Sequence, residues 1–201
     1  VAAGLEVEHV GVVPITRSEI AARLASQGRG GSKRVARADI AAFEAREQAG
    51  GRAGFRVFER GGTGAAAAGP LDAQVIRFIE PQQANAQALG VDVQSILSAR
   101  TAIAQAVRTG APVASASFEL TQGGRGVVIY QAVYRGQPST AAERVPAQHG
   151  VVFATLLLDS LLSSSTGALK SSLRLCLLDN DAPAASRILA GPPGCDDLSP
   201  A

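Results

Sequence analysis

An α+β fold, with two stacked antiparallel sheets and flanking helices, is what the sequence predicts, and three observations carry it. Segments of helical spacing that end in glycine are interleaved with apolar, β-branched runs along the 201 residues. PVASASFEL and GVVIYQAVY flank TQGGR, whose Gly123 and Gly124 supply the positive φ of a tight antiparallel reversal, so these runs are joined by a hairpin rather than a long crossover. QPSTAAERVPAQ is a polar connector between two well-patterned halves and places the division between the sheets near residues 134–145.

Taken in order, LEVEHVGVVPI has the β-branched content of a strand. TRSEIAARLASQG predicts a helix, because Thr16 and Glu19 form an S/T-x-x-E capping box, Ile20 and Leu24 lie four apart, and Gly28 ends the pattern. GRGGSK reads as a flexible loop. ARADIAAFEAREQAGG has alanine-rich helical spacing with a glycine stop. FRVFER alternates as a half-buried strand, with Phe55 and Val57 on one side and Arg56 on the other. GGTGAAAAGPLD is a low-complexity surface loop. AQVIRFIEP is a strand that Pro81 ends. QQANAQALG and SILSARTAIAQAVRTG are helices closed by Gly90 and Gly110. After the hairpin and the connector come a strand in GVVFATLLL, a short helix in LDSLLSSSTGALK, and final strands in LRLCLLD and SRILAG.

At 46% hydrophobic and 18% charged residues the composition is that of a globular chain long enough to bury a core. A net charge of +2 with no basic face argues against nucleic acid as a partner. The chain contains no Met, signal peptide or long apolar span, and is read as a piece of a longer protein. Cys176 and Cys195 are 19 residues apart and leave two readings open, a bridge across neighbouring strands or a buried thiol with an exposed one.

No constellation for catalysis emerges. The glycine-rich stretches lack the Gly-x-x-x-x-Gly-Lys-Ser/Thr spacing of a phosphate loop and do not open a helix after a strand. His9 and His149 have no nucleophile elbow to serve and no H-E-x-x-H spacing for zinc. Asp179 with Asp181, and Asp196 with Asp197, lack a glycine-turned calcium loop and read as solvated turn carboxylates. Glu80, before Pro81, reads as fixing the exit of a strand. Neither a catalytic residue, a metal nor a cofactor is expected.

An ordered set of landmarks points further. Glu80-Pro81, Asn85, Leu89-Gly90 and Asp92 are followed by the hairpin and by Ala132-Val133-Tyr134, and preceded by a helix carrying Phe43-Glu44, a glycine break and Gly54-Phe55. This series resembles the CHASE domain, the extracytoplasmic ligand-sensing module of membrane receptors. The resemblance implies two stacked PAS-like antiparallel sheets with flanking helices, and makes the first segment the truncated end of an N-terminal stalk helix. It divides the chain into a residual stalk and capping helix over 1–34, a membrane-distal PAS-like ligand-sensing subdomain over 35–134 and a membrane-proximal PAS-like subdomain over 146–195. Where the family has a strand with a Trp-x-Pro signature the chain has SKRV, which implies a short strand.

By the same resemblance the partner is a small-molecule ligand, the setting is the periplasmic or extracellular part of a receptor held by transmembrane helices outside this chain, and the full receptor is a homodimer. Its output domain would be a histidine kinase, a diguanylate cyclase or another nucleotide cyclase. The alternative implied is a dimerisation module that binds no ligand. Cytokinin receptors of the family bind the adenine ring through an aspartate on the helix before the pocket strands, and that position is Ala99. The pocket threonine of the next strand falls on Ser115, the backbone-contact leucine on Thr121, and the following strand's threonine on Tyr130. The glycine-rich roof becomes Val151-Val152-Phe153-Ala154. Ala99, Val113, Ser115, Thr121, Tyr130, Val151 and Ala154 are therefore the candidate ligand contacts. Loss of the aspartate and gain of Tyr130 and Phe153 imply a smaller, neutral pocket that adenine-type cytokinins do not suit.

Overall fold

The computed structural model describes residues 28–60, 72–121, 123–160, 176–180, 182–184, 187–192 and 195. The segment before Gly28, the loop at 61–71, Asp181, Asp196, Asp197 and the predicted helix beyond residue 160 lie outside these.

The fold is α+β, as expected, but the sheets are divided differently. An eight-stranded sheet comprises β1 (Arg29–Ala36), β2 (Phe58–Glu59), β3 (Asp72–Glu80), β4 (Val91–Asp92), β5 (Val113–Ala114), β6 (Phe118–Glu119), β7 (Arg125–Tyr134) and β8 (Gln148–Leu157). Its order is β2-β4-β3-β1-β8-β7-β5, with β6 also on β7. Every pairing is antiparallel except that of β2 with β4. β8 follows the polar connector, so the sequence reading assigns it to a second sheet. It lies instead between β1 and β7 at the centre of the first. An apolar ten-residue strand has two edges and two faces to satisfy, and the middle of a large sheet satisfies all four. The second sheet is the pair β9 (Leu177–Leu178) and β10 (Ile188–Ala190). A Cys176–Cys195 disulfide staples its ends at a Cα–Cα distance of 5.5 Å, so of the two cysteine readings the bridged one holds.

GRGGSK is not a loop: it opens the central strand β1, which is neither short nor poorly paired. Its glycines permit this. A Cβ on Gly30 would lie 2.4 Å from the Phe78 carbonyl oxygen and 2.6 Å from the Phe153 ring, and one on Gly31 2.4 Å from the Phe78 ring. Phenylalanines from the two flanking strands, β3 and β8, thus lie across the backbone of β1, which only glycine allows.

Helices among the described residues include α1 (Ile40–Ala49), α2 (Gln82–Asn85), α3 (Leu97–Thr109) and α4 (Ala141–Ala147). α1 buries Phe43 edge-to-face against Phe55, with ring centroids 5.8 Å apart, over Val35, Ala73 and Val75. FRVFER forms only the two residues of β2, because α1 side chains take its backbone groups: Glu44 Oε1 accepts from Val57 N at 2.7 Å, and Gln48 Nε2 donates to the Phe55 carbonyl at 2.9 Å. α3 covers the opposite face with Ala99, Ala102, Ile103, Ala106 and Val107, and Gly110 at φ 75° closes it.

Within the polar connector, Thr140 and Glu143 form a reciprocal capping box that starts α4. Backbone N–H donation from Ser139 and Thr140 holds the Glu143 carboxyl below its usual range. Arg144 then donates to the Arg108 carbonyl at 3.1 Å, tying α4 to the end of α3. Replacing Thr140 with Ala removes one acceptor from an exposed helix start, so urea unfolding should show a loss of about 1 kcal/mol.

Candidate functional site

The family landmarks that stand out in the sequence are consumed by the backbone. Asn85 Nδ2 donates to the Pro81 carbonyl at 2.8 Å. Gly90, at φ 87°, donates to the Ile76 carbonyl and accepts from Phe58 N. Asp92, wholly buried, accepts from Gln74 N at 2.8 Å and Gln94 N at 3.0 Å through Oδ1. Its Oδ2 lies 3.2 Å from Arg37 Nη2 without hydrogen-bond geometry, so that attraction is coulombic. These residues shape a floor of backbone hydrogen bonds in which Asp92 Oδ2, facing Arg37, takes no part.

Above that floor, on the face covered by α3, the sheet and the turn after β4 enclose an apolar chamber. Ile79, Val93, Thr121, Tyr130, Phe153 and Thr155 are among the residues that line it. Tyr130 and Phe153 pack tilted, 6.1 Å apart. Only about 30 Å³ of space is left, room for a water or two. Three lining residues carry hydroxyls, Thr121, Tyr130 and Thr155, the last two 2% exposed. Among the described residues none of these hydroxyls is hydrogen-bonded, and none is wholly shut off from solvent-sized space, since Asp92 Oδ2 is the one side-chain polar atom there that is both buried and without a partner. Burial pushes the Tyr130 phenol well above its usual range, so it stays protonated and can both donate and accept.

Of the seven residues proposed from the sequence, Thr121 and Tyr130 line the chamber. Val113 sits opposite Tyr130 across β5 and β7 and packs, partly buried, against the same core. Ala99 and Val151 belong to that core without reaching the space. Ser115 is occupied: its Oγ accepts from Val128 N at 3.1 Å, while its own N–H donates to the Val128 carbonyl. It lies along a different cavity, facing β9. Ala154 alternates with Phe153 and Thr155 on β8 and so projects from the other face. Thr155 and the apolar wall that includes Val93, Ile96 and Leu120 are among the lining residues that sequence reasoning missed. The period of two that starts at Val151 and runs through Phe153 is the signal that reaches Thr155.

Among the described residues no helix is long and apolar enough to cross a membrane. The profile of the CHASE domain family matches residues 16–189. No curated protein matches the chain.

Proposed function

Since the chain belongs to the CHASE domain family, whose members are extracytoplasmic sensor domains of receptors, we propose that it senses a small neutral molecule in the apolar chamber and passes the resulting change in packing to an output domain elsewhere in the receptor. The observation that carries this reading is the set of hydroxyls without hydrogen bonds, on Thr121, Tyr130 and Thr155, in an otherwise apolar wall. A hydroxyl in such a wall can bond only to what enters the space, and a ligand or a water that supplies the partner gains about 1 kcal/mol for each bond. Hydroxyls orient a ligand but do not neutralise a charge, so the ligand is uncharged, with one or two polar groups on an apolar body. A ligand larger than water enters only if Phe153 or the β6–β7 turn moves, and that displacement is the signal in this scheme.

One observation favours a second reading. The chamber is nearly filled by its own side chains, as in a module that has kept the fold and serves dimerisation without a ligand. Thermal-shift screening of neutral small molecules separates the two. Under the sensor reading some stabilise the chain, and Tyr130→Phe, which removes one hydroxyl without opening a cavity, weakens that binding roughly tenfold. If no neutral compound stabilises the chain, or if Tyr130→Phe binds the hits as tightly, the ligand-sensing reading fails.

A further inference from the structure

A second recess lies on the same face of the sheet, beyond the apolar chamber, and its chemistry is opposite. Register places Arg34 of β1 opposite Gln74 of β3, and Ser32 opposite Ile76, so these side chains share the face that α3 covers. Around them is a cleft of about 330 Å³ that Arg34, Asp72, Gln74, Gln94, Val145 and Gln148 help to line. That volume is in the range of small-molecule sites, roughly 300–1,000 Å³. The short helical turn Val93–Ser95 separates the two recesses: Val93 faces the chamber and Gln94 the cleft.

The cleft is anchored from below. Gln74, 1% exposed, donates through Nε2 to Ser32 Oγ at 2.9 Å and accepts at Oε1 from Gln148 Nε2 at 3.0 Å. Gln148 is thereby held with its Oε1 unused. Arg34 donates through Nε to Asp72 Oδ2 and through Nη1 to the Val145 carbonyl at 3.1 Å, which fixes the guanidinium between β3 and α4. Among the described residues Arg34 Nη2, Asp72 Oδ1 and the Gln94 side-chain amide make no hydrogen bond.

We propose that this cleft is a second binding site, for a small zwitterion with an ammonium and a carboxylate on the same carbon, as in an α-amino acid. The wall presents one cation and one anion side by side. A ligand of net charge would satisfy one and repel the other, whereas a zwitterion meets both, its carboxylate on Arg34 Nη2 and its ammonium on Asp72 Oδ1. Gln94 and Gln148 supply donors and an acceptor to the rest of the head group. Both charges of the wall are about one-third exposed, so screening limits their strength and the amides carry a comparable share. This site stands independently of any ligand in the apolar chamber.

The test uses the chain with its disulfide intact, titrated by calorimetry with the common α-amino acids one at a time. At least one should bind saturably. Its N-acetyl and carboxamide forms, each lacking one charge, should bind at least about tenfold more weakly. Asp72→Asn and Gln94→Ala should each weaken the free amino acid, and Tyr130→Phe should leave it unchanged. Gln94→Ala removes a side chain that makes no hydrogen bond among the described residues, so it reports on binding even where Asp72→Asn fails to fold. The proposal is overturned if no amino acid binds, if the blocked forms bind as tightly as the free one, or if Gln94→Ala binds as the parent does. Loss of binding in Tyr130→Phe would move the site into the chamber and overturn it as well.

Discussion

Asp92→Ala should cost about 3–5 kcal/mol, enough to leave much of the chain unfolded at ambient temperature. The carboxylate is completely buried and serves two backbone N–H groups, on Gln74 and Gln94, besides facing Arg37. Alanine orphans both donors, and the Gln74 N–H has no water to turn to because that residue is itself buried. Arg37 is partly exposed, so the coulombic share of the loss is the smaller one. Asp92→Asn preserves an acceptor in the same place and should recover about half of the loss. Urea denaturation of the three proteins measures this, and a cost below about 1 kcal/mol for Asp92→Ala would show that the hub is dispensable.

Gly90→Ala should be comparably severe for a steric reason. The added Cβ would lie 1.9 Å from the Arg56 carbonyl oxygen, a backbone atom, and the residue holds φ at 87°. Positive φ in an alanine costs about 1–2 kcal/mol, and overlap with a backbone adds about 1–3 kcal/mol. Relief by movement of the 54–58 segment is blocked, because Phe55 is locked against Phe43 and Phe58 N is bonded to the Gly90 carbonyl. The denaturation midpoint should fall accordingly. A midpoint near the parent's would mean that this segment yields more easily than its packing implies.

What was legible in the sequence was local. Helix α3 follows from its spacing and from Gly110, and the β5–β7 hairpin from Gly123 and Gly124, since each signal lies within the element it specifies. β1 was not legible, because RGGSK has poor strand propensity and becomes a strand only when Phe78 and Phe153 lie across it. α4 was overlooked although Thr140 and Glu143 repeat the capping pattern that Thr16 and Glu19 display; the polar composition around them reads as a linker. Of the landmark residues, Thr121 and Tyr130 line the chamber, whereas Ser115 and Ala154 do not, because side-chain direction depends on register and on a hydroxyl's local bond, neither of which a landmark carries. The polar cleft joins β1, β3, α4 and the 93–95 turn, residues from 34 to 148, and no local pattern announces it.

The central place of β8 bears on how the chain reaches this state. β1 pairs with β8 through Arg29↔Ala154, so contacts at the heart of the sheet join segments more than a hundred residues apart. Such pairings incur a large loop-closure entropy before any contact compensates it, which makes assembly slow and late. Among the described residues neither half before or after the 135–140 stretch holds a sheet whose edges are covered: the first lacks the strand between β1 and β7, and the second contributes that strand without a neighbour of its own. The domain therefore acquires its order in one concerted transition, with the face that lines the chamber completed only when β8 arrives.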